Sequence, residues 1–124
     1  MHGTVRFEGA DAVLLERVRS LCLAYPEAVE VEQFGLPWFK AGKRPFLVFG
    51  HQRDDPQIAF ALSRDDQEAL VAMAPDRFFP TPYLHQHGWT SLRIADDPDW
   101  PTIERLTDDA YRKVALQRML KTLD

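Results

Sequence analysis

The chain has 124 residues, a length that fits one domain, so we predict a single domain over residues 1–124. Hydrophobic residues make up 45% and charged residues 27%, which excludes collagen-like, coiled-coil and intrinsically disordered proteins. The 15 Lys and Arg against 19 Asp and Glu give a formal net charge of −4. This balance excludes a protein that is basic over its whole surface, but it permits a local basic patch.

The sequence predicts no targeting or membrane segment. The first nine residues contain no apolar stretch of the kind found in signal peptides, and apolar runs such as 46–49 and 58–62 are short, with none longer than six residues. A membrane helix needs about 20 such residues. Cys22 is the only cysteine and cannot form an internal disulfide. We therefore expect a cytoplasmic protein that does not contact a membrane.

The first predicted helix spans residues 12–24, with Asp11 as its N-cap and Pro26 after its end. Its apolar positions recur at helical spacing. They are Leu14, Leu15, Val18, Leu21, Cys22 and Tyr25. Because Cys22 belongs to this stripe, we predict that it is a buried core residue and not a reactive thiol.

The next stretch predicts an antiparallel meander. Residues 29–32 alternate valine with glutamate, which is typical of a half-buried strand. The apolar segments 38–41 and 45–49 flank a Gly-Lys-Arg turn at 42–44, in which the glycine supplies the special backbone angle of a hairpin. Residues 57–62 predict a further strand. Short turns between consecutive strands favour antiparallel pairing, because parallel strands need long crossovers.

The second half of the chain begins with a helix. Ser63 and Asp66 predict a capping box at its start. Residues 78–83 carry two prolines, so any strand there lies at a sheet edge, and residues 90–94 predict the last strand. Asp99 is predicted to cap a long C-terminal helix. The apolar stripe of that helix is Ile103, Leu106, Ala110 and Val114.

The predicted order is therefore one helix, three or four strands, a helix, two strands and a helix. Strands that are grouped, and do not alternate with helices, indicate the α+β class. We predict a two-layer sandwich in which helices pack on one antiparallel sheet.

Four stretches carry a family resemblance: GLPWFK at 35–40 followed by GK at 42–43, QEAL to PDRFF at 67–79, PY to GW and LR at 82–93, and AYR at 110–112. In this order they resemble the MmcQ/YjbR family of small bacterial domains, over roughly residues 12–120. The resemblance implies a two-layer α+β sandwich related to secretion-chaperone-like folds, and a DNA-binding label that rests on likeness to winged folds. The family's last helix often stops at a proline after an alanine. Ala115 is followed here by Leu116, so we expect the helix to continue.

A basic hairpin is the first candidate site. Residues 33–53 contain four cations and no acid, and the cations are Lys40, Lys43, Arg44 and Arg53. At a hairpin turn, Lys43 and Arg44 would present positive charge to DNA phosphates. The alternative is a solvated tip whose lysine resists edge-to-edge aggregation. The cations of residues 112–121 are interpreted as partners of a helix dipole.

Aromatic residues form the second candidate site. Phe39, Tyr83 and Trp89 could stack on a ligand, or they could complete a small core. His85 and His87 would face the same side of a strand, but no third ligand accompanies them, so we predict no metal site. The sequence contains no phosphate loop, nucleophile elbow or zinc signature. We therefore predict no catalytic residue and no cofactor.

Two functional hypotheses remain open. The first is weak DNA binding through the basic hairpin. The second is a module without catalytic activity that binds a protein or a small ligand.

Overall fold

The structure is a computed structural model that describes residues 7–52, 55–94 and 97–123. Its helices are α1 (Gly9–Leu23), α2 (Arg64–Met73), α3 (Trp100–Val114) and α4 (Gln117–Leu123). Its strands are β1 (Ala28–Gln33), β2 (Leu36–Ala41), β3 (Arg44–Gln52), β4 (Asp55–Phe60), β5 (Phe78–Pro80) and β6 (Thr90–Arg93), with a 3₁₀ turn at His85–His87.

The strands form one antiparallel sheet in the order β1-β2-β3-β4-β6-β5. The first four strands follow one another as a meander, and β6 then pairs with β4 while β5 forms the far edge. The predicted α+β class, the element order up to the last helix and the antiparallel sheet are confirmed.

The two faces of the sheet have different surroundings. The covered face packs against the helices and is almost entirely buried; its residues include Phe39, Leu47, Phe49, Ile58, Phe60 and Leu92. The open face carries the alternating residues of the same strands. These include Trp38, Val48, Gly50, Gln57, Ala59 and Ser91.

Strand β1 presents its glutamates, and not its valines, to the helices. Glu30 lies opposite Phe39 on the covered face, where the Arg19 guanidinium of α1 donates to its carboxylate at 2.9 Å. Val29 lies on the open face and is 44% exposed. A valine–glutamate alternation thus gives a strand of the predicted period, and its register with β2, which sets Glu30 beside the buried Phe39, places the glutamates on the covered face.

The predicted N-caps of two helices, α2 and α3, are present in the structure. The Ser63 hydroxyl accepts from the Asp66 amide at 3.0 Å, and the Asp99 carboxylate accepts from the amide and hydroxyl of Thr102 at 3.2 and 2.7 Å. At α1 the prediction is wrong, because the helix begins at Gly9 and Asp11 lies within its first turn.

The last helix does not continue as expected. Helix α3 ends at Val114, Ala115 is extended with ψ of 148°, and α4 follows as a separate helix. The Arg44 guanidinium donates to the Val114 carbonyl at 3.2 Å, which satisfies one of the carbonyls left free at the helix end. The break lets Met119 of α4 become 1% exposed beside Gly42 in the β2–β3 turn.

Cys22 lies in the core, as predicted, with 0% exposure. Burial raises the pKa of its thiol well above the ordinary range, because the thiolate would be poorly solvated there. The protonated thiol therefore acts as a packing group.

A candidate binding groove on the open face of the sheet

The open face holds a groove of about 490 Å³. Its floor is made by open-face residues of β3, β4 and β6. In register, Val48 lies opposite Ala59, Ala59 lies opposite Ser91, and Gly50 lies opposite Gln57. Three of these five side chains are hydrogen, methyl or hydroxymethyl groups, so the floor is low and nearly level.

Two separate parts of the chain form the walls. One wall is the β1–β2 hairpin, which contributes Phe34, Leu36 and Trp38. The other wall is residues 81–84 of the connection between β5 and β6, which includes Tyr83. Phe34 lies in the turn between β1 and β2, and residues 81–84 lie outside the strands, while Leu36 and Trp38 are open-face residues of β2.

Phe34 has a backbone conformation that phenylalanine rarely adopts. It lies with Gly35 in a two-residue hairpin turn, and both have positive φ, at 54° and 77°. Such turns strongly prefer Asn-Gly, because positive φ brings the Cβ atom of other residues too close to the backbone. The phenyl ring is nevertheless 84% exposed. The molecule therefore holds a large apolar side chain in solvent on a strained backbone.

Tyr83 repeats this combination on the opposite wall. Its φ is 68° and its side chain is 90% exposed. Among the described residues only Glu27 shares a positive φ without being glycine, and its carboxylate accepts two hydrogen bonds from Arg118. Strain and apolar exposure thus coincide at two residues that line one groove, the pattern expected of a functional surface.

The Tyr83 wall is anchored to the rest of the domain at its base. The side-chain amide of Gln67, buried on α2, donates to the carbonyls of His85 at 3.0 Å and Trp89 at 2.8 Å. Gly88 has a φ of 88°, and a Cβ there would come within 2.2 Å of the Leu62 carbonyl oxygen. These contacts fix the position of the wall relative to the sheet.

The groove is uncharged. Of the residues that the structure describes, those lining it include no acid and no base. The nearby Arg93 is engaged elsewhere, because its guanidinium lies 3.4 Å from the Asp55 carboxylate and 4.5 Å from the centre of the Phe79 ring. Such a surface suits a neutral ligand, since an ion placed there would lose its hydration without gaining a partner.

Of the cations in the predicted DNA site, the three that the structure describes do not share one face. Lys40 lies opposite Val29 on the open face, and Lys43 is exposed at the tip of the β2–β3 hairpin. Arg44 turns toward the helices to reach Val114, and Arg53 lies outside the described residues.

The three predicted stacking residues have three different environments. Tyr83 lines the groove. Trp89 is 7% exposed, lies outside the groove lining and packs in a cluster with Val48 and Ala59, with its ring 6.2 Å from that of Trp38. Phe39 is 0% exposed on the covered face, where neither side of its ring is open to a ligand. The structure therefore removes Phe39 from the candidate site.

The remaining candidates are the two histidines and the cations near the C-terminus. His85 and His87 lie on an exposed 3₁₀ turn, not on a strand, and no group of three or more potential metal-binding side chains occurs in residues 7–52, 55–94 and 97–123. Arg118 pairs with Glu27, while Lys113 donates to the Leu62 carbonyl at 2.8 Å.

Sequence reasoning missed Phe34, Gly50, Ala59 and Gln67. One signal was present: the dipeptide Phe34-Gly35 fills a two-residue turn where Asn-Gly is the common choice. Nothing in the sequence distinguishes Gln67 from the exposed polar residues that surround it on α2. Its importance comes from carbonyls that lie 18 and 22 residues further along the chain.

An antiparallel sheet with helices on one face and a ligand-sized groove on the other defines a two-layer α+β domain. The YjbR family model matches residues 23–113, and the chain belongs to that family. Its structure is similar to the crystal structure of the Deinococcus radiodurans protein DR2400, which carries the family-model domain DUF419. The TM-score is 0.73 at 18% identity, over 88% of this chain and 86% of that one, and this likeness shows the fold.

Among curated proteins, no sequence matches this chain. Within the described part of the chain, every helix is too short or too polar to cross a membrane.

Proposed function

We propose that this YjbR-family domain is a binding module that holds a small ligand in the groove of the open face. One observation carries the proposal: Phe34 and Tyr83, the two most exposed large apolar side chains among the described residues, lie on strained backbone at facing walls of the same groove. Strained positions persist where the surrounding structure enforces them, and they concentrate at ligand-binding sites.

The dimensions of the groove support a small ligand. Small-molecule sites typically measure about 300–1,000 Å³ and are mainly apolar with a few polar groups that fix orientation. The groove has about 490 Å³, and the polar side chains in its lining include Gln57, Thr81 and Ser91. The anchored Tyr83 wall reduces the ordering that binding would otherwise require.

A fragment screen followed by two-dimensional amide NMR tests this proposal. We expect the hits to shift the amide signals of Gly50 and Ala59. We also expect the Trp38 indole signal to shift, while that of Trp100, which lies in α3 beneath Arg17, stays in place. Phe34→Asn should weaken the hits while the protein stays folded. A screen whose hits leave the open face unperturbed would contradict the proposal.

DNA binding through the hairpin is a second candidate. Its support is Lys43, which is exposed at the tip, with Lys40 further along β2 on the open face. If Lys43 contacts a phosphate, Lys43→Glu should weaken binding and reduce the log–log salt slope by about 0.9. Arg64→Glu, at an exposed position on α2, is the matched charge control. Equal loss in both variants, or no binding at low salt, would contradict a hairpin site.

A further inference from the structure

Resting on the proposed function, we infer that the groove selects a neutral, planar, fused-ring aromatic ligand that carries one uncharged hydrogen-bonding group. Three features of the groove support this class: the shape of its floor, its lack of charge and a free amide.

The floor favours a flat molecule. Across the sheet, one open-face row runs from Trp38 through Val48, Ala59 and Ser91 to Phe79. Within the groove, the small side chains of this row lie beside the Trp38 ring, while Phe79 at the other end is outside the lining and lies beneath the Arg93 guanidinium. A planar molecule can lie on this level centre and contact aromatic side chains at its edges, in the offset or edge-to-face geometries that rings prefer. A bulky, rounded molecule would touch the same floor over less of its surface.

The lining excludes an ionic ligand. A carboxylate or phosphate would need a cation, but Arg93 already contacts Asp55 and also donates to the Asp76 carbonyl at 3.0 Å. An ammonium group would need a carboxylate, and none lines the groove within the described residues. The cost of desolvating a charge therefore falls on any ionised ligand.

The hydrogen-bonding group has a defined partner. Gln57 lies on the floor, and in the part of the chain that the structure describes its side-chain amide makes no hydrogen bond. The neighbouring hydroxyls of Thr81 and Ser91 bond each other at 2.9 Å, which uses one of their two hydrogens. The Trp38 indole donates to the Gln33 carbonyl at 2.9 Å. Gln57 is thus the side chain on the floor whose amide can orient a hydroxyl or amide of the ligand, while the Tyr83 hydroxyl lies on the wall.

Three probes of similar size test the class. They are 2-naphthol, which is flat and neutral, 2-naphthoate, which is flat and anionic, and 1-adamantanol, which is neutral and rounded. Calorimetry gives the affinities, and the Trp38 indole and Gly50 amide signals give the location. We expect 2-naphthol to bind in the groove at least about tenfold more tightly than either of the others. Unlike 2-naphthoate, it has no charge to desolvate, and unlike 1-adamantanol, it is flat and contacts the floor over its whole face.

The outcomes separate this inference from the function on which it rests. If 1-adamantanol or 2-naphthoate binds in the groove as tightly as 2-naphthol, the inferred class is wrong and the binding module stands. The same holds if no probe binds but hits from the fragment screen map to the groove. If neither probes nor hits map there, both are wrong.

A variant pair isolates the amide. In Gln57→Leu, the ratio of 2-naphthol to naphthalene affinity should fall by about threefold to tenfold, which is the worth of one hydrogen bond. Naphthalene lacks the hydroxyl and serves as the internal control. An unchanged ratio would show that Gln57 does not bond the ligand.

Discussion

Aromatic side chains on the two faces of the sheet differ in solvent exposure and in backbone conformation. On the covered face, Phe49 and Phe60 are 0% exposed and lie in regular strand backbone. At the open face, Phe34 and Tyr83 are 84% and 90% exposed and have positive φ. Burial explains the first pair through the free energy of folding. The exposed rings and the strained backbone of the second pair both oppose folding. Under the proposed function, ligand binding, and not stability, therefore explains why these residues are present.

Truncation of one ring on each face should give the largest contrast. Phe49→Ala is expected to lower the free energy of unfolding by about 3–5 kcal/mol, because it leaves a cavity against the helices. Tyr83→Ala should change it by less than about 0.5 kcal/mol, as is usual at exposed positions. Urea unfolding monitored by circular dichroism measures both. A similar loss in the free energy of unfolding for Tyr83→Ala would contradict the proposed difference between the two faces.

The anchor beneath the Tyr83 wall should give the next largest effect. Gln67→Leu removes the donor to two carbonyls and is expected to cost about 1–3 kcal/mol. Amide hydrogen exchange should also accelerate at residues 84–88, while exchange in β2 and β3 stays slow. Glu68→Gln, at the exposed neighbouring position, is the control and should have no effect. Slow exchange at residues 84–88 in Gln67→Leu would show that the wall does not depend on this amide.

Replacing Phe34 should produce a gain in stability. Phe34→Asn supplies a residue that tolerates positive φ, so we expect the free energy of unfolding to rise by about 1 kcal/mol. The control Phe34→Leu removes the ring but keeps the strain, and should show no such gain. If Phe34→Asn is less stable than the natural protein, the contact between the Phe34 and Trp38 rings, with centroids 6.3 Å apart, stabilises the fold more than the strain opposes it.

The smallest effect concerns pH. Hydrogen bonds from Arg118 lower the pKa of the Glu27 carboxyl below its ordinary value. Because the folded-state pKa is the lower one, this pair stabilises the fold above the ordinary pKa of glutamate, and the contribution is lost as pH falls through the folded-state pKa. Both side chains are substantially exposed, so the effect is small. Arg118→Gln should flatten this part of the acid-unfolding curve, and an unchanged curve would contradict the assignment.

Features that depend on neighbouring residues could be predicted from the sequence. The capping residues Ser63 and Asp99 act within three positions of themselves, and the glycine turn at Gly42 has the expected positive φ of 61°. The edge position of the proline-bearing strand β5 is likewise a local consequence, since proline cannot donate to a ladder.

The groove could not be predicted, because it depends on which face the helices cover. The valine–glutamate alternation of β1 is compatible with either face, and its register with β2, which sets Glu30 beside the buried Phe39, decides between them. Phe39 and Trp38 are adjacent in sequence, yet one is in the core and the other lines the groove. Tyr83 was selected as an aromatic residue, but its partner across the groove, Phe34, comes from a hairpin 49 positions earlier in the sequence.

The break at Ala115 has a consequence for the hairpin tip that carries Lys43. Helix α4 brings the Met119 methyl to 3.1 Å from the position a Cβ would take on Gly42, and Arg44 is bonded to the end of α3. The backbone on both sides of Lys43 is therefore already ordered. Fixing a flexible residue costs about 1–2 kcal/mol of backbone entropy. A partner that meets Lys43 would immobilise only the lysine side chain, so a weak electrostatic contact at this tip would lose little of its free energy to entropy.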